Sequence, residues 1–269
     1  MGGPGQRLIR PSALLLLFAS ISVSILAAQV APPPASIGPS AQITFPRPNY
    51  PFPDGKSYVY SAEWHMLTAG MGAIRMEASG SERKIVATAE SSGPVNVIFP
   101  VRDRFESRFD PRTFCSQSLA KHSEEGSHKR ETSIRFDYAQ KKSNLEERNI
   151  KTGEIKHVEN DLSGCVTDIL TGFYYLQSLP LKLGATYEFP VSDGKTAVVR
   201  ATVDKRELVK VPAGSFSAVM VTTEAISGSL QSRGKVWVWY SDDPGHTPVQ
   251  MRAKLGWGTL LFRLQRIEK

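Results

Sequence analysis

The sequence predicts a mainly β fold: a large curved antiparallel sheet or half-open barrel, with one amphipathic helix at about residues 167–178 packed on its concave side. Three observations predict it. Apolar side chains alternate with period two along most of the chain from Lys56 onward, turn signals separate the alternating runs, and a single stretch switches to helical spacing.

The first alternating run sets Tyr58, Tyr60, Ala62, Trp64 and Met66 on one face of an extended segment and Val59, Ser61, Glu63 and His65 on the other. The same rhythm returns in Ile74, Met76 and Ala78, in Thr132, Ile134, Phe136 and Tyr138, and in Val249, Met251, Ala253, Leu255 and Trp257. It closes with Leu260, Phe262 and Leu264. Between these runs stand Ala69-Gly70, Asp110-Pro111, Asp193-Gly194, Pro212-Ala213-Gly214 and Pro244-Gly245. Turns of this chemistry join sequential hairpins, so the sheet is expected to be mainly antiparallel. One stretch breaks the period: Val166, Ile169, Leu170 and Phe173 recur at helical spacing, Asp168 suits a helix N-terminus, and Pro180 stops the run. Tyr174, Tyr175 and Leu176 widen the apolar surface, so this helix, Thr167 to Ser178, is expected to be covered on more than one side.

Ahead of the β region, Arg7 and Arg10 precede an apolar run from Ala13 to Ala28 that ends in small residues. That is the outline of a secretory signal, residues 1–28, too short for the roughly 20 residues of a spanning helix. An uncleaved anchor is the competing reading. Residues 29–53 carry most of a dense proline run and read as an extended spacer. Residues 54–269 then read as a single β-rich domain, with two smaller β domains joined near residues 160–185 as the alternative. The exported chain would be periplasmic or secreted, with no stable membrane span once the signal is removed. In that oxidising setting the two cysteines, Cys115 and Cys165, are most simply a disulfide, with two buried free thiols as the alternative.

Composition narrows the function classes. With 41% apolar and 22% charged residues the chain is an ordinary globular protein, neither disordered nor collagenous nor a multi-span membrane protein. Its 33 basic residues exceed 26 acidic ones, but the two signs alternate and form no basic block, so nucleic acid is not an expected partner.

The ordered set of short motifs resembles a bacterial exported family, the domain of unknown function 3108. The matching landmarks are Gly55-x-x-Tyr58-x-Tyr60-x-x-Glu63-Trp64 with Ala69-Gly70, and Arg104-Phe105-Glu106-Ser107 leading to Asp110-Pro111. Arg135-Phe136-Asp137-Tyr138, Asp168-Ile169-Leu170 with Tyr174-Tyr175-Leu176, Val211-Pro212-Ala213-Gly214-Ser215-Phe216 and Pro248-Val249 follow. The fit covers about residues 50–267. It implies an envelope protein of predominantly β fold, and it supplies no catalytic residues and no assignment for the cysteine pair.

Chemistry is weakly marked. His65, His122, His128, His157 and His246 form no tight metal-ligand spacing, and no G-x-S-x-G nucleophile motif occurs, so neither a metal, a cofactor nor a catalytic constellation is read. Arg102, Arg104, Glu106 and Arg108 share one strand face, read either as a salt-bridged solvated face or as a surface for anionic headgroups. Trp64, Trp237, Trp239 and Trp257 are the candidate ligand-binding residues. Val236-Trp237-Val238-Trp239-Tyr240 is apolar on both faces, so the strand is either covered twice or lines a cavity. The expected function is a non-catalytic binding or carrier protein for a lipid-like or glycan ligand. A structural module contacting another envelope protein and a hydrolase with an unrecognised site are the alternatives.

Overall fold

The computed structural model describes residues 41–46, 50–65, 67–228, 234–255 and 258–269. The expected signal at 1–28 and Trp257 lie outside them. Strands β1 (Ser57–Trp64), β2 (Leu67–Ser79) and β3 (Glu82–Ser91) lead through a six-residue helix α1 (Gly93–Ile98) to β4 (Val101–Phe109). Strands β5 (Ser116–Glu125), β6 (His128–Asp137), β7 (Lys142–Asn149) and β8 (Ile155–Asp161) complete the first half. Helix α2 (Ile169–Ser178) then crosses to β9 (Thr186–Ser192), β10 (Thr196–Val211), β11 (Gly214–Ala225), β12 (Lys235–Ser241), β13 (Pro248–Leu255) and β14 (Gly258–Glu268).

All fourteen strands form one antiparallel sheet in the order β8-β7-β6-β5-β4-β3-β2-β1-β14-β13-β12-β11-β10-β9. Two meanders, β1–β8 and β9–β14, are therefore welded back to back by β1 and β14, with Tyr60 opposite Leu264. The predicted antiparallel sheet is present and it is open, with β8 and β9 as its edges.

The edges do not meet as a ladder, and the gap is spanned by other means. Ser116 N–H donates to the Val166 carbonyl (2.9 Å), Thr167 N–H to the Pro190 carbonyl (3.0 Å) and Ser192 N–H to the Thr167 carbonyl (2.8 Å). A two-residue extended segment thus stitches the start of β5 to β9. Beside it the Cys115–Cys165 disulfide is formed. The β9–β10 turn rests against the inner face of the opposite wall. Lys121 Nζ reaches Asp193 Oδ1 at 2.5 Å, and Ser143 Oγ donates to the Gly194 carbonyl at 2.9 Å. Lys121, Ser143 and Asp193 are all screened from water, so each charge has its counter-ion where an isolated one would be costly.

Helix α2 lies inside the curve. It begins at Ile169 behind the N-cap Asp168, two residues later than the Thr167 start expected from periodicity, because Thr167 is already engaged with β9 in extended form. Asp168 is fully buried. Its Oδ1 accepts Leu170 N–H (2.8 Å) and Thr171 N–H (3.0 Å). Its Oδ2 accepts the hydroxyls of Ser116 (2.6 Å), Thr171 (2.9 Å) and Ser107. Five donors and the positive end of the helix together replace the hydration this carboxylate loses. All but Ile169 and Phe173 of the helix is buried. Around it pack Tyr58, Tyr60, Phe109, Phe114, Phe189 and Tyr240, side chains that each contribute roughly 1.5–3 kcal/mol when fully withdrawn from water. Two of the buried phenols find backbone acceptors, whereas the buried Tyr174 hydroxyl has no hydrogen-bond partner among the described residues. Tyr60 donates to the Pro248 carbonyl (2.7 Å) and Tyr240 to the Phe173 carbonyl (3.0 Å), and burial pushes both hydroxyls well above the ordinary tyrosine value.

Three regions differ from the sequence reading, the first being Ala69-Gly70, expected as a turn but lying within β2. Helix α1 is a second helix: it has only six residues, opens on Gly93-Pro94 and contains Val95 and Val97, too short and too β-branched to show a helical period. Part of the proline-rich stretch packs on the domain. Tyr50 is buried, Phe52 lies 5.7 Å from Phe114 ring to ring, and Thr44 N–H donates to the Tyr175 hydroxyl at 3.1 Å.

Candidate functional site

The inner faces of β1, β2 and β3 change character along their length. In β1 the inward sequence runs Tyr58, Tyr60, Ala62, and in β2 it runs Met76, Ile74, Gly72, Gly70. In β3 it runs Ile85, Ala87, Ala89, Ser91. These positions face one another across the ladder, Tyr58 beside Ile74, Ala62 beside Gly70 and Gly72 beside Ala89. Large side chains therefore gather at the α2 end and small ones at the other. Gly70 is required for a second reason: a Cβ there would stand 2.2 Å from the Glu90 carbonyl oxygen.

Where the side chains are small, a cavity of about 790 Å³ opens. Its walls come from Ala62 and Trp64 of β1, Gly70 of β2, Ala89 and Ser91 of β3, and Leu260 and Phe262 of β14. Helix α1 stands at its mouth and contributes Val95 and Ile98, followed by Phe99, Pro100 and Val101. Next to Pro100, whose carbonyl accepts from Gly126 N–H (2.8 Å), the β5–β6 turn offers Gly126, Ser127 and His128, and the β7–β8 turn offers Lys151. None of α1 is buried: Val97 is 84% and Ile98 83% exposed, with Leu67 (60%) and Met71 (37%) nearby on β2. The volume falls in the roughly 300–1,000 Å³ range of small-molecule sites, and an apolar wall with few polar groups is their usual chemistry.

The inner wall of β4–β6 is more polar. Asp103, Ser123, Glu125 and Thr132 are buried there. Burial raises the Asp103 carboxyl to about 7, against the opposing hydrogen bond from Glu124 N–H at 3.2 Å. Among the described residues no group of three or more His, Cys, Asp or Glu is placed to share a metal ion. No described helix is long and apolar enough to cross a membrane.

Of the four tryptophans singled out by sequence, Trp257 lies outside the described residues and the other three do not converge. Trp64 lines the cavity. Trp237 and Trp239 occupy the opposite face of β12 from the buried Val238 and Tyr240, and Arg252 lies over both rings, 4.2 Å from the first and 5.6 Å from the second. Trp239 Nε1 donates to Glu207 Oε1 at 2.7 Å. The two-sided apolarity of this strand thus has an aliphatic and tyrosine face toward the core and a tryptophan face covered by a guanidinium, with Trp239 itself buried. Arg104 and Arg108 both engage Glu106, giving the salt-bridged face that was one of two readings of β4. Sequence reasoning missed the small residues of the cavity, Ala62, Gly70 and Ala89, whose signal was the loss of bulk along an otherwise regular alternation.

One solved structure shares this fold and two others align below that level. A β-barrel-like protein of the domain of unknown function DUF1849 from Brucella abortus superposes with a TM-score of 0.54 at 7% identity, covering 79% of this chain and 96% of its own. A Bacteroides fragilis protein with a YmcC-like fold matches at 10% identity, TM-score 0.36, over 85% of this chain and all of its own. A Parabacteroides distasonis protein, described as a lipoprotein candidate, matches at 12% identity, TM-score 0.37, over 85% of this chain and 99% of its own. No curated protein matches the sequence. The family model for proteins of unknown function DUF3108 matches residues 59–265, nearly the whole sheet and its enclosed helix, and the chain belongs to that family.

Proposed function

We propose that the protein is a non-catalytic binding or carrier protein of the cell envelope whose ligand is amphiphilic, with an acyl-like part held in the cavity between α1 and β1–β3. The single observation that carries this reading is the apolar cavity itself, opened by inward Ala62, Gly70 and Ala89 in a sheet whose other end is filled. A filled core would have been reached by placing large residues at Ala62 and Ala89, and apolar space left open loses contact energy unless something occupies it. The export part of the proposal rests on the signal-like N-terminus and on the disulfide, a bond that persists in oxidising compartments. A glycan stacking on Trp237 and Trp239 is the weaker ligand reading, because Arg252 already lies over those rings.

A second reading, an interaction module of an envelope assembly, draws on exposed Leu67, Val97 and Ile98 at the mouth. Native mass spectrometry of the chain expressed with export tests the choice. Co-purifying lipid-sized mass, lost on Ala89→Leu substitution, supports the carrier. Absence of bound mass, with no thermal shift from fatty acids, lysophospholipids or oligosaccharides, rejects it.

A further inference from the structure

Resting on the amphiphile reading, we infer the chemistry of the ligand's head: an anionic oxygen acid, carboxylate or phosphate, on a single-chain amphiphile, held by Lys151. Lys151 is the one Lys or Arg among the described residues lining the cavity, and it stands at the mouth on the β7–β8 turn. Its backbone is fixed, since Lys151 N–H donates to Asn149 Oδ1 (3.0 Å) and the preceding Ile150 N–H to the Lys129 carbonyl (3.0 Å). Its ammonium has no carboxylate partner among the described residues, whereas neighbouring cations are engaged. Lys129 reaches Glu124 at 2.5 Å, and Arg130 reaches Glu147 at 3.6 Å.

Ser127 and His128 lie on the same side of the opening and supply further hydrogen-bonding groups. The acid among the lining residues, Glu90, sits on the β3 side, directly opposite Arg102 in the β3–β4 ladder. A tail seated against the apolar wall would leave its head at the turn that carries Lys151, where apolar wall gives way to water. An ammonium there serves a carboxylate or phosphate and offers nothing particular to an uncharged glycerol head.

Calorimetric titration of the full chain with laurate, lysophosphatidylethanolamine and uncharged monolaurin tests this, on the wild type and on Lys151→Gln. Laurate is expected to bind about fivefold more tightly than monolaurin, with the advantage shrinking as salt is raised. Lys151→Gln should erase that advantage and leave monolaurin unchanged. The lysophospholipid arm decides the source: tighter binding than laurate identifies a phospholipid head, weaker binding a free fatty acid. Equal affinity for laurate and monolaurin, or an unaltered preference in Lys151→Gln, overturns the head assignment while leaving the cavity reading intact. Failure of all three to bind overturns the cavity reading itself. The variant alters an exposed turn side chain, so its thermal unfolding should match the wild type and confirm that binding alone has changed.

Discussion

The two ends of the interior are built on the same strands and differ in side-chain bulk. At one end Tyr58, Ile74, Met76 and Ile85 meet α2 and close the space, and at the other Ala62, Gly70 and Ala89 leave about 790 Å³ open. β1 and β2 pair without a register shift from Ser57 to Ala62, and β2 and β3 do so along their whole ladder, so over this span alternation decides which way a side chain points and volume decides whether the interior is core or site. The closed end also carries the polar anchors: the Asp168 cap, the disulfide and the Val166–Thr167 stitch. Rigidity is concentrated away from the opening.

The largest effect is expected at the closed end. Asp168→Ala would strand three hydroxyls and two helix N–H groups in the core and should lower unfolding stability by about 4 kcal/mol or more, measured by urea denaturation. A loss below 1 kcal/mol would mean that the anchor does not distinguish the two ends. Replacing both cysteines by serine releases a covalent loop of sequence separation 50 and should cost about 4 kcal/mol in the chain-entropy account, with the same readout.

Asp103 sharpens the comparison through pH. Its folded value, about 7, lies above the ordinary 3.8, so between these limits the folded protein holds a proton that the unfolded chain has released. The stability it contributes is therefore complete below pH 4 and is lost as pH rises toward 7. Asp103→Asn should flatten that slope and leave the variant about 2 kcal/mol more stable than wild type at pH 8. Parallel stability curves for the two proteins would contradict the burial argument. The smallest stability effect belongs to the open end: Ala89→Leu should shift stability by less than about 1 kcal/mol while reducing amphiphile binding. The same enlargement at buried Ala201 in the filled core should cost about 1–3 kcal/mol.

Strands, the enclosed helix and the cysteine pairing were legible because each leaves a local mark: period two in Tyr58–Trp64, helical spacing with a cap in Asp168–Phe173, and a lone pair of cysteines. The cavity left a mark too, but one spread over positions brought together only by pairing. Gly72 and Ala89 are unremarked small residues until the ladder sets them side by side. The tryptophans posed the opposite difficulty. Size and aromaticity single out Trp237 and Trp239, yet which face of β12 meets the core depends on the register of β11 and β13. Lys121–Asp193 could not be read either, since it depends on one edge hairpin tucking inside the far wall.

The weld between the two meanders has a consequence for how the chain reaches its final form. Gln265 donates to Ser61 across a sequence separation of 204, and the two central strands cannot pair until synthesis or translocation has delivered both. Hairpins on either side can zip early, but joining them closes a very long loop, which makes maturation slow and late. A polypeptide threaded through an export channel would for that reason stay unlocked until its C-terminal region had emerged.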